Sequence, residues 1–430
     1  MSERPPLPPG PYLVVGLARS GAAVARALRE HGEVLGTDSG RPEGADELEG
    51  VEVELESDGL RLLEPARTVV KSPGVPQEAP VIRAARERGV EVVGELEVAW
   101  RLVPSEVVAV TGTNGKTTTA ELLGAIHREA GLDVAVAGNV GTPLSSLATE
   151  PPAVVVCECS SFQLEDASAF APDCALLLNL AADHLDRHGT FEDYRRAKLR
   201  VFMNQRPEHV AVLPAGFDPV QGAARRVEFG EGGELEHRDG RLWWGGEPLM
   251  DAAAVRLRGE HNLENAMGAA AAALSRGISR DAVLRALSRF AGVPHRLEEV
   301  AERDGVLFVN DSKATNVASA RVGIEAFSGG VHAILGGSLK GESFEGLRDA
   351  VASRCAACYL IGEAAERLAE DLDGTVTLNR AGGLEGAVTA ASRAAQAGEV
   401  VLLSPACASY DQYTDYEERG EHFRRLAVAA

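Results

Sequence analysis

The segment that most constrains the fold is an apolar run that ends in a glycine-rich loop. The run VVAV at 107–110 is followed directly by TGTNGKTTT, and a helical pattern begins after this loop. Small residues let successive backbone N–H groups close around a phosphate, and the following helix adds its positive N-terminal end. Lys116 can reach the β- and γ-phosphates, and the hydroxyl of Thr117 can bind Mg²⁺. The sequence does not match the strict Walker pattern, because Val110 stands where the first glycine of that pattern would be. The strand–loop–helix order still predicts a nucleoside triphosphate site.

Apolar runs separated by polar or glycine-rich loops recur along the 430 residues, and several loops lead into alanine-rich helical stretches. Such alternation favours parallel sheets, whose ligands bind just beyond the carboxyl ends of the strands. At roughly 150 residues per domain, the length predicts three domains. We predict an α/β protein with an N-terminal Rossmann-like domain at 1–95, a central P-loop domain with a parallel-rich sheet at 96–297 and a C-terminal Rossmann-like domain at 298–430. The predicted strands are 12–15, 33–36, 68–71, 107–110, 153–157, 174–178, 306–309, 332–335, 358–361 and 399–403.

The first predicted strand leads into the loop GLARSG at 16–21. This loop has glycine at the first and last places of the dinucleotide-binding pattern G-x-G-x-x-G, but Ala18 replaces the middle glycine. A dinucleotide fold and a plain strand-to-helix turn both remain open on this segment alone. Asp38 ends the next strand about twenty residues further on, where a ribose- or base-binding residue would lie.

The composition excludes several classes of protein. The formal net charge of −21 repels phosphate, so we expect no sequence-independent binding of nucleic acid. The longest small apolar run, 266–274, is far shorter than the roughly 20 residues of a membrane helix, so we expect no membrane span. The proline-rich start lacks the apolar core of a secretory signal. Six cysteines in so long a chain, of which Cys355 and Cys358 form a C-x-x-C without a second pair, indicate free thiols in a reducing cytoplasm.

Three further segments carry polar residues after predicted strands or on a helical pattern: CECSSFQLE at 157–165, DHLDRHG at 183–189 and YRRAK at 194–198. In this order, and with the P-loop, the chain resembles the Mur ligases, the ATP-dependent amide-forming enzymes of bacterial peptidoglycan precursor synthesis. The resemblance covers essentially the whole chain, and SSFQLE, DSKATN and SPACASYDQ narrow it to the D-glutamate-adding branch. Arg19 and Tyr416 depart from the pattern, which more often has a small or apolar residue and a phenylalanine there. The other matching motifs are GLARSG, KSPGV, GNVGTPL, EHNLENA, PHRLE and LGGSLKGESF.

The resemblance implies roles for residues around ATP and two Mg²⁺ ions. Thr117 and Glu158 would bind one Mg²⁺, and His184 with Lys198 would bind the second. Lys198 would carry a CO₂-derived carbamate, because a bare ammonium cannot ligate Mg²⁺ whereas a carbamate supplies two hard oxygens. Lys116, His184 and Lys198 would be the catalytic residues. The residues implied for ATP are Gly112, Thr113, Asn114, Gly115, Lys116, Thr117, Thr118, Asn262, Asn265, Arg296 and Asp311.

The resemblance also implies where the other two substrates bind. Domain 1–95 would be the UDP-binding domain and domain 298–430 the amino-acid-binding domain. The residues implied for UDP-N-acetylmuramoyl-L-alanine are Ser20, Asp38, Ser39, Gly74, Asn139, Gln163 and His184. The residues implied for D-glutamate are Lys313, Thr315, Lys340, Ser409 and Tyr416.

The implied reaction is phosphoryl transfer followed by acyl substitution, carried out by a cytoplasmic bacterial enzyme that we expect to be a monomer. The substrate carboxylate attacks the γ-phosphate to give an acyl phosphate and ADP, and the glutamate amine then displaces phosphate. The amine must lose a proton to His184, to a substrate oxygen or to a carbamate oxygen, and the residues leave this choice open. Only five of the 43 basic residues are lysine, and the resemblance implies a role for four of the five. The fifth, Lys71, has no assigned role.

Three alternative functions would each use some of these motifs. Another ligase of the family, such as a folylpolyglutamate synthase-like enzyme or a different peptide-stem ligase, would share the ATP chemistry but not SPACASYDQY and DSKATN. An NAD-dependent oxidoreductase built on GLARSG would need the missing middle glycine and would not need a P-loop. A non-catalytic nucleotide switch would not require His184, Lys198 and a C-terminal Lys/Ser pocket together.

Overall fold

The computed structural model describes residues 4–257, 259–339, 341 and 343–429, with the side chain of Asp186 left out. The chain divides into two compact units, Met1–Phe290 and Ala291–Ala430. The first unit contains two sheets and the second contains one. The expected α/β architecture with three parallel-rich sheets is therefore confirmed, whereas the domain limits at 95/96 and 297/298 stay a prediction.

The first sheet has five strands in the order β3-β2-β1-β4-β5, and all of its pairings are parallel. The chain order reverses on either side of β1, so a crevice opens beyond the carboxyl ends of β1 and β4. Its strands are β1 (Tyr12–Val15), β2 (Val34–Asp38), β3 (Glu52–Leu55), β4 (Thr68–Lys71) and β5 (Glu91–Gly94), and its helices are α1 (Arg19–Leu28), α2 (Pro80–Glu87) and α3 (Glu95–Leu102).

The second sheet has nine strands in the order β14-β13-β12-β11-β10-β9-β6-β8-β7. The pairings from β7 to β12 are parallel, whereas β12, β13 and β14 form an antiparallel edge. The strands are β6 (Glu106–Thr111), β7 (Val134–Gly138), β8 (Val154–Glu158), β9 (Cys174–Leu177), β10 (Val210–Pro214), β11 (Arg225–Phe229), β12 (Leu235–Arg238), β13 (Arg241–Trp244) and β14 (Glu247–Asp251). The helices are α4 (Lys116–Glu129), α5 (Ser161–Leu164), α6 (Leu185–His188), α7 (Phe191–Met203), α8 (Glu260–Ser275) and α9 (Arg280–Arg289), with short 3₁₀ turns at Leu144–Leu147 and Ala252–Ala254.

Both faces of the second sheet are buried, which explains why its inner strands are apolar without alternation. Successive residues of a strand point to opposite faces. Val108 of β6 accordingly lies in one hydrophobic cluster with α4 and α8, and its neighbour Val107 lies in another with α3. Every residue of the alanine-rich run 266–274 is buried, so this part of α8 is enclosed on all sides. Over the described part of the chain, no helix has the length and apolar character needed to cross a membrane.

The third sheet forms the core of the second unit, in the order β15-β16-β20-β17-β18-β19. Only the β15–β16 pairing is antiparallel among its described strands. The strands are β15 (Glu298–Arg303), β16 (Val306–Asn310), β17 (Val331–Gly336), β18 (Cys355–Ile361), β19 (Thr377–Gly382) and β20 (Val400–Leu403). The helices are α10 (Val317–Glu325), α11 (Arg348–Arg354), α12 (Ala365–Asp371), α13 (Leu384–Ala394) and α14 (Tyr416–Ala429), with a 3₁₀ turn at Glu345–Leu347.

Candidate functional site

The predicted phosphate loop connects the carboxyl end of β6 to the first residue of α4, as the sequence indicated. Gly115 is the N-cap of α4 and adopts a left-handed conformation with φ 81°, which favours glycine. A Cβ at this position would lie 2.1 Å from the Oδ1 atom of Asn265, so the loop and α8 approach each other as closely as a residue without a side chain allows. The backbone amides of the loop and the N-terminal end of α4 therefore form a compact anion-binding surface.

Asn179, which follows β9, fixes the conformation of this loop, and sequence reasoning missed it. The Oδ1 atom of Asn179 accepts from the backbone N–H of Asn114 at 2.9 Å, and its carbonyl accepts from the N–H of Thr113 at 3.0 Å. The Nδ2 atom of Asn179 donates back to the carbonyl of Asn114 at 3.2 Å. An asparagine directly after a buried strand is the only signal that the sequence offered for this role.

Thr117 and Glu158, the first predicted metal pair, are in contact. The Thr117 hydroxyl donates to Oε2 of Glu158 at 2.8 Å, and both residues are buried. The Nδ2 atom of Asn139, at the end of β7, donates to Oε1 of the same carboxylate at 3.1 Å. Glu158 is thus held next to the phosphate loop because β8 pairs directly with β6.

The two lysines of the central site converge on one backbone carbonyl. Lys116 donates to the carbonyls of Gly112 at 3.0 Å and Thr113 at 2.9 Å, and Lys198 donates to the carbonyl of Gly112 at 2.7 Å. Lys198 is 2% exposed on α7. Burial, and then the positive charge of Lys116, lower the pKa of Lys198 to about 7.

A row of rings connects His184 to Lys198. The ring centroid of Phe162 lies 4.8 Å from that of His184 and 5.2 Å from that of His188, with which it stacks. His188 lies 5.5 Å from Tyr194, and the ammonium of Lys198 lies 4.8 Å from the Tyr194 centroid. The side chain of His184 is 49% exposed, so its imidazole is accessible to a ligand. His188 was not among the predicted residues, although it is in the same DHLDRHG motif.

Gln163 is buried in the capping box of α5, a short helix that follows β8. Ser160 accepts from the backbone N–H of Gln163, and the Oε1 atom of Gln163 accepts from the N–H of Ser160 at 3.0 Å. The Nε2 atom of His188 lies 3.0 Å from the Ser161 hydroxyl. The motif SSFQLE therefore forms a local turn that holds the ring of Phe162 beside His184.

The predicted UDP site lies at the carboxyl ends of β1, β2 and β4. Gly16 has φ 87°, and a Cβ on Gly21 would lie 1.7 Å from the Gly16 carbonyl oxygen, so this loop tolerates no side chain at its last glycine. The Asp38 carboxylate accepts from the N–H of Leu17 at 2.7 Å, and the hydroxyl of Ser72 donates to the Gly16 carbonyl at 2.6 Å. The structure thus brings the loop 16–21, Asp38 and the loop containing Gly74 to one edge of the first sheet. Ser20 is half-buried and Ser39 is exposed at the same edge.

Arg19, the unusual residue of the first loop, reaches the central part of the same unit. Its Nη2 atom donates to the carbonyl of Gly141 at 3.1 Å. Gly141 belongs to the motif GNVGTPL, which begins at the last residue of β7 and includes Asn139. The departure from the family pattern therefore adds a contact between two predicted substrate loops.

A cavity of about 930 Å³ opens beside the phosphate loop, and the motifs did not indicate it. It lies at the carboxyl ends of β9, β10 and β11 and against the first turns of α8. Asn262 and Asn265, both predicted for the nucleotide, lie on the same helix, and Asn265 donates to Oδ1 of Asn262 at 3.2 Å. The lining residues include Asn179, Pro214, Phe217, Phe229, Leu263 and Met267.

The second unit contains the remaining predicted residues. Asp311, at the end of β16, is buried, accepts from the Ser404 hydroxyl at 2.7 Å and accepts from the Leu297 N–H at 3.2 Å. Burial raises the pKa of Asp311 to about 7, against the opposing effects of these hydrogen bonds. Arg296 is exposed, and its positive charge opposes this rise in the pKa of Asp311. Lys340 lies outside the described residues.

Arg419 joins two of the predicted amino-acid motifs, and sequence reasoning missed it. Its buried guanidinium donates to the Ser312 hydroxyl and carbonyl at 3.0 and 2.8 Å, and to the carbonyls of Cys407 and Ala408 at 3.1 and 3.3 Å. Burial lowers the pKa of Arg419 to about 10. DSKATN and SPACASYDQY are therefore held together by one side chain of α14.

Two of the predicted D-glutamate residues, Lys313 and Tyr416, lie close to each other. The ammonium of Lys313 lies 5.7 Å from the centroid of the Tyr416 ring. The Tyr416 carbonyl accepts from the Ser312 hydroxyl at 2.8 Å. Ser409 is buried directly after the two carbonyls that Arg419 holds, and Thr315 is half-buried after Lys313.

Comparison with known families gives three matches that together span most of the chain. Residues 11–94 match the Mur ligase MurD-like N-terminal domain, residues 110–273 match the Mur ligase middle domain, and residues 295–407 match the Mur ligase glutamate ligase domain.

Two curated relatives carry the name UDP-N-acetylmuramoylalanine–D-glutamate ligase. The chain is 42% identical to the enzyme of Acidobacterium capsulatum, over 97% of this chain and 96% of that one. It is 43% identical to the enzyme of Geobacter metallireducens, over 97% of both chains.

Solved structures share the fold at low identity. The UDP-N-acetylmuramate–alanine ligase MurC of Thermotoga maritima matches with a TM-score of 0.59 and 19% identity, over 97% of this chain and 99% of that one. The MurF ligase of the same organism, solved in complex with ADP, matches with a TM-score of 0.56 and 20% identity, over 87% of this chain and 92% of that one.

Proposed function

The chain belongs to the Mur ligase family, and from that membership we propose that it catalyses the ATP-dependent addition of D-glutamate to UDP-N-acetylmuramoyl-L-alanine in peptidoglycan precursor synthesis. The observation that carries this conclusion is the identity of 42–43% along 97% of the chain with ligases of that name. The reaction forms an amide bond through an acyl phosphate. The proposal includes the cytoplasmic location that the resemblance implies.

The phosphates of ATP bind at the loop 111–117. The backbone N–H groups of this loop and the N-terminal end of α4 stabilise the negative charge, and Lys116 supplies a full positive charge at the same place. Thr118, Asn262, Asn265, Arg296 and Asp311 complete the proposed nucleotide set. The contact between Asn265 and Gly115 supports the assignment of α8 to this site.

The residues around Glu158 fit one Mg²⁺ ion. Within the described residues no group of three or more His, Cys, Asp and Glu side chains is arranged to hold a metal. Mg²⁺ nevertheless does not need such a group, because it usually keeps several waters and binds through one or two carboxylates together with substrate phosphates. The Glu158 carboxylate and the Thr117 hydroxyl, 2.8 Å apart and next to the phosphate loop, are a hard-oxygen pair of this kind.

The second proposed ion would be held by His184 and a carbamate on Lys198. A lysine amine adds CO₂ only in its neutral form, and a pKa of about 7 makes a substantial fraction of Lys198 neutral at physiological pH. The carbamate would also convert an unfavourable pair of neighbouring ammonium groups into a favourable pair with Lys116. Bound Mg²⁺ neutralises charge that develops on the transferring phosphoryl group.

The substrate carboxylate oxygen attacks the γ-phosphorus, the bond to ADP breaks, and an acyl phosphate forms. The amine nitrogen of D-glutamate then attacks the acyl carbon, and the tetrahedral intermediate expels inorganic phosphate as the amine loses its proton. Lys116 and the loop amides orient the phosphates, since phosphoryl transfer depends mainly on positioning and charge neutralisation.

The other two substrates occupy the loops described above. Ser20, Asp38, Ser39 and Gly74 hold the uridine diphosphate group, and Asn139, Gln163 and His184 orient the muramoyl-alanine end. Lys313, Thr315, Lys340, Ser409 and Tyr416 hold D-glutamate. The proximity of Lys313 to Tyr416 and the link that Arg419 makes between the motifs of Lys313 and Ser409 support this pocket.

A two-substrate assay of ADP release tests the function. The purified chain receives ATP, Mg²⁺ and UDP-N-acetylmuramoyl-L-alanine, with D-glutamate, L-glutamate or meso-diaminopimelate as the second acceptor. We expect release of ADP that requires both the UDP-linked acceptor and D-glutamate. Turnover with meso-diaminopimelate but not with D-glutamate would assign the chain to another branch of the family. ATP turnover without any acceptor would indicate a nucleotide switch.

A further inference from the structure

Lys71, the lysine without an assigned role, is a completely buried cation at the end of β4. Its ammonium lies 2.7 Å from Oδ2 of Asp166 and 3.7 Å from Oε1 of Glu165, and it donates to the carbonyl of Val75 at 2.9 Å. A buried charge costs several kcal/mol in solvation unless partners compensate it, so the burial of the Lys71 ammonium depends on these two carboxylates. They belong to the chain just after α5, in the central part of the same unit.

Arg187 is a second cation on the same carboxylate and the same loop. Its Nη2 atom donates to Oε1 of Glu165 at 2.9 Å, to the carbonyl of Val75 at 3.0 Å and to the carbonyl of Pro73 at 3.3 Å. Two cations from distant parts of the sequence therefore hold the backbone of residues 73–75 from the inside. Charge is balanced, because two carboxylates face two cations.

Gln77 closes this arrangement on the side of the first sheet. Its Nε2 atom donates to Oε1 of Glu165 at 3.0 Å and to Oδ1 of Asp166 at 2.8 Å. Gly94, at the end of β5, donates its backbone N–H to the carbonyl of Asp166 at 3.3 Å. The network thus connects the loop after β4, the loop after α5 and the helix α6.

The other end of the network reaches the central site. The guanidinium carbon of Arg187 lies 4.7 Å from the centroid of Phe162, whose ring is the neighbour of His184. Arg187 and His188 form the last turn of α6, and His184 is the N-cap of that helix with φ 51°. A change in the position of Arg187 would therefore move both the loop 73–75 and the turn that carries His184.

The loop that the network holds has an open side. A Cβ on Gly74 would meet no atom within 4 Å, and Ser72 ties the start of the loop to the Gly16 carbonyl. The carbonyls of residues 73, 74 and 75 accept from Arg187 or Lys71. The open space at the Cβ position of Gly74 is left for a ligand.

We propose that Lys71, Glu165 and Arg187 are positioning residues that hold the loop 73–75 for the uridine diphosphate group. They also fix the position of this loop relative to the turn that carries His184. This inference rests on the proposed function, because the ligand of the loop is the UDP-linked substrate. It assigns a role to the one lysine that the motifs left without one.

The test compares Arg187→Met, Arg187→Lys and the double variant Lys71→Met/Asp166→Asn with the wild type. The double variant removes one charge of each sign, so no buried carboxylate is left unpaired. Arg196→Met is the matched control, since Arg196 is an arginine of the neighbouring α7 whose side chain is 68% exposed. Calorimetry measures Kd for UDP-N-acetylmuramoyl-L-alanine and, separately, for ADP, and steady-state assays give KM and kcat.

For Arg187→Met we expect Kd and KM for the UDP-linked substrate to rise about tenfold or more, as for the loss of a charge-assisted contact, and kcat to fall. Kd for ADP should stay within about twofold, because no contact of the network involves the phosphate loop. Arg187→Lys should recover only part of the loss, since one ammonium nitrogen cannot replace both Nη2, which contacts Glu165 and the carbonyls of residues 73 and 75, and Nη1, which contacts the carbonyl of Gly74. The double variant should also weaken binding of the UDP-linked substrate but not of ADP, and Arg196→Met should behave as the wild type.

Unchanged affinity for the UDP-linked substrate in Arg187→Met and in the double variant would overturn the inference. An equal loss of affinity for the UDP-linked substrate and for ADP, together with a lower thermal midpoint, would also overturn the inference, since it would indicate a structural role only. A wild type that releases no ADP in response to D-glutamate would instead contradict the proposed function, so the two failures are distinguishable.

Discussion

Lys116 and Lys198 donate to the same backbone carbonyl, that of Gly112, at 3.0 and 2.7 Å. Two ammonium groups at one acceptor repel each other, and Lys198 is the more deeply buried of the two. Its pKa is lowered to about 7 by burial and by Lys116. The geometry therefore favours the neutral amine at Lys198, which is the form that reacts with CO₂.

Replacing Lys198 with arginine should abolish ligation without unfolding the protein. Arginine keeps the positive charge but cannot form a carbamate, so turnover should fall by about a hundredfold or more. ADP release in the presence of both acceptors measures the loss, and circular dichroism checks the fold. Arg196→Ala on the same helix is the control. Small carboxylates such as acetate should partly restore the activity of Lys198→Ala. Full activity in Lys198→Arg would contradict the proposed carbamate.

Replacing Lys116 with alanine should remove acyl-phosphate formation. The positive charge at the phosphates is lost, and the loss of one charged donor at a developing charge lowers turnover by about a hundredfold or more. ADP release at saturating ATP measures this, with Arg128→Ala, an exposed residue in the last turn of α4, as the control. ADP release at the rate of the wild type would mean that the phosphates bind elsewhere.

Replacing Ser409 with alanine should raise KM for D-glutamate by about three- to tenfold, the effect of one neutral hydrogen bond. KM for ATP should change little, because Ser409 is proposed for the amino-acid pocket alone. Initial-rate kinetics with each substrate varied in turn gives both constants. Tyr410→Phe, at a neighbouring residue that is 70% exposed, is the control. Equal effects on both KM values would remove Ser409 from that pocket.

Glu95, at the start of α3, should make the stability of the protein depend on pH. It is 2% exposed and accepts from the Ser145 hydroxyl at 3.1 Å, and burial raises its pKa to about 7 from 4.5. Between pH 4.5 and 7 the folded protein holds a proton that the unfolded chain lacks, so the free energy of unfolding falls as pH rises through this window.

Glu95→Gln should remove this dependence while keeping an acceptor for Ser145. At pH 5 the variant and the wild type should be nearly equally stable, and at pH 8 the variant should be more stable by about 3 kcal/mol. Thermal and urea unfolding across pH 5–8 measure the difference, and Glu91→Gln at the exposed start of β5 is the control. A difference that does not change with pH would show that the Glu95 carboxyl is not protonated in the folded protein.

The elements that the sequence predicted well are those whose signal is local. β1 and β4 have the predicted bounds, and β6 extends the predicted run by one residue at each end. Each is a short, valine-rich segment that is buried on both faces and followed by a loop containing glycine. The strands that were not predicted are β3, β5, β7, β10, β15, β19 and the edge strands β11 to β14. The edge strands alternate polar and buried residues, and their pairing depends on neighbours that a single segment does not reveal.

The sequence by itself predicted which residues carry the chemistry, because a phosphate loop, a carboxylate after a strand and a lysine on a helix are recognisable from residue type and spacing. Only the tertiary structure decided how they interact. Glu158 meets Thr117 because β8 pairs with β6, and Lys198 meets Lys116 because α7 packs against the same loop. Lys71 had no signal at all, since its partners Asp166 and Glu165 are more than ninety residues away and become its neighbours only when the two sheets fold into one unit.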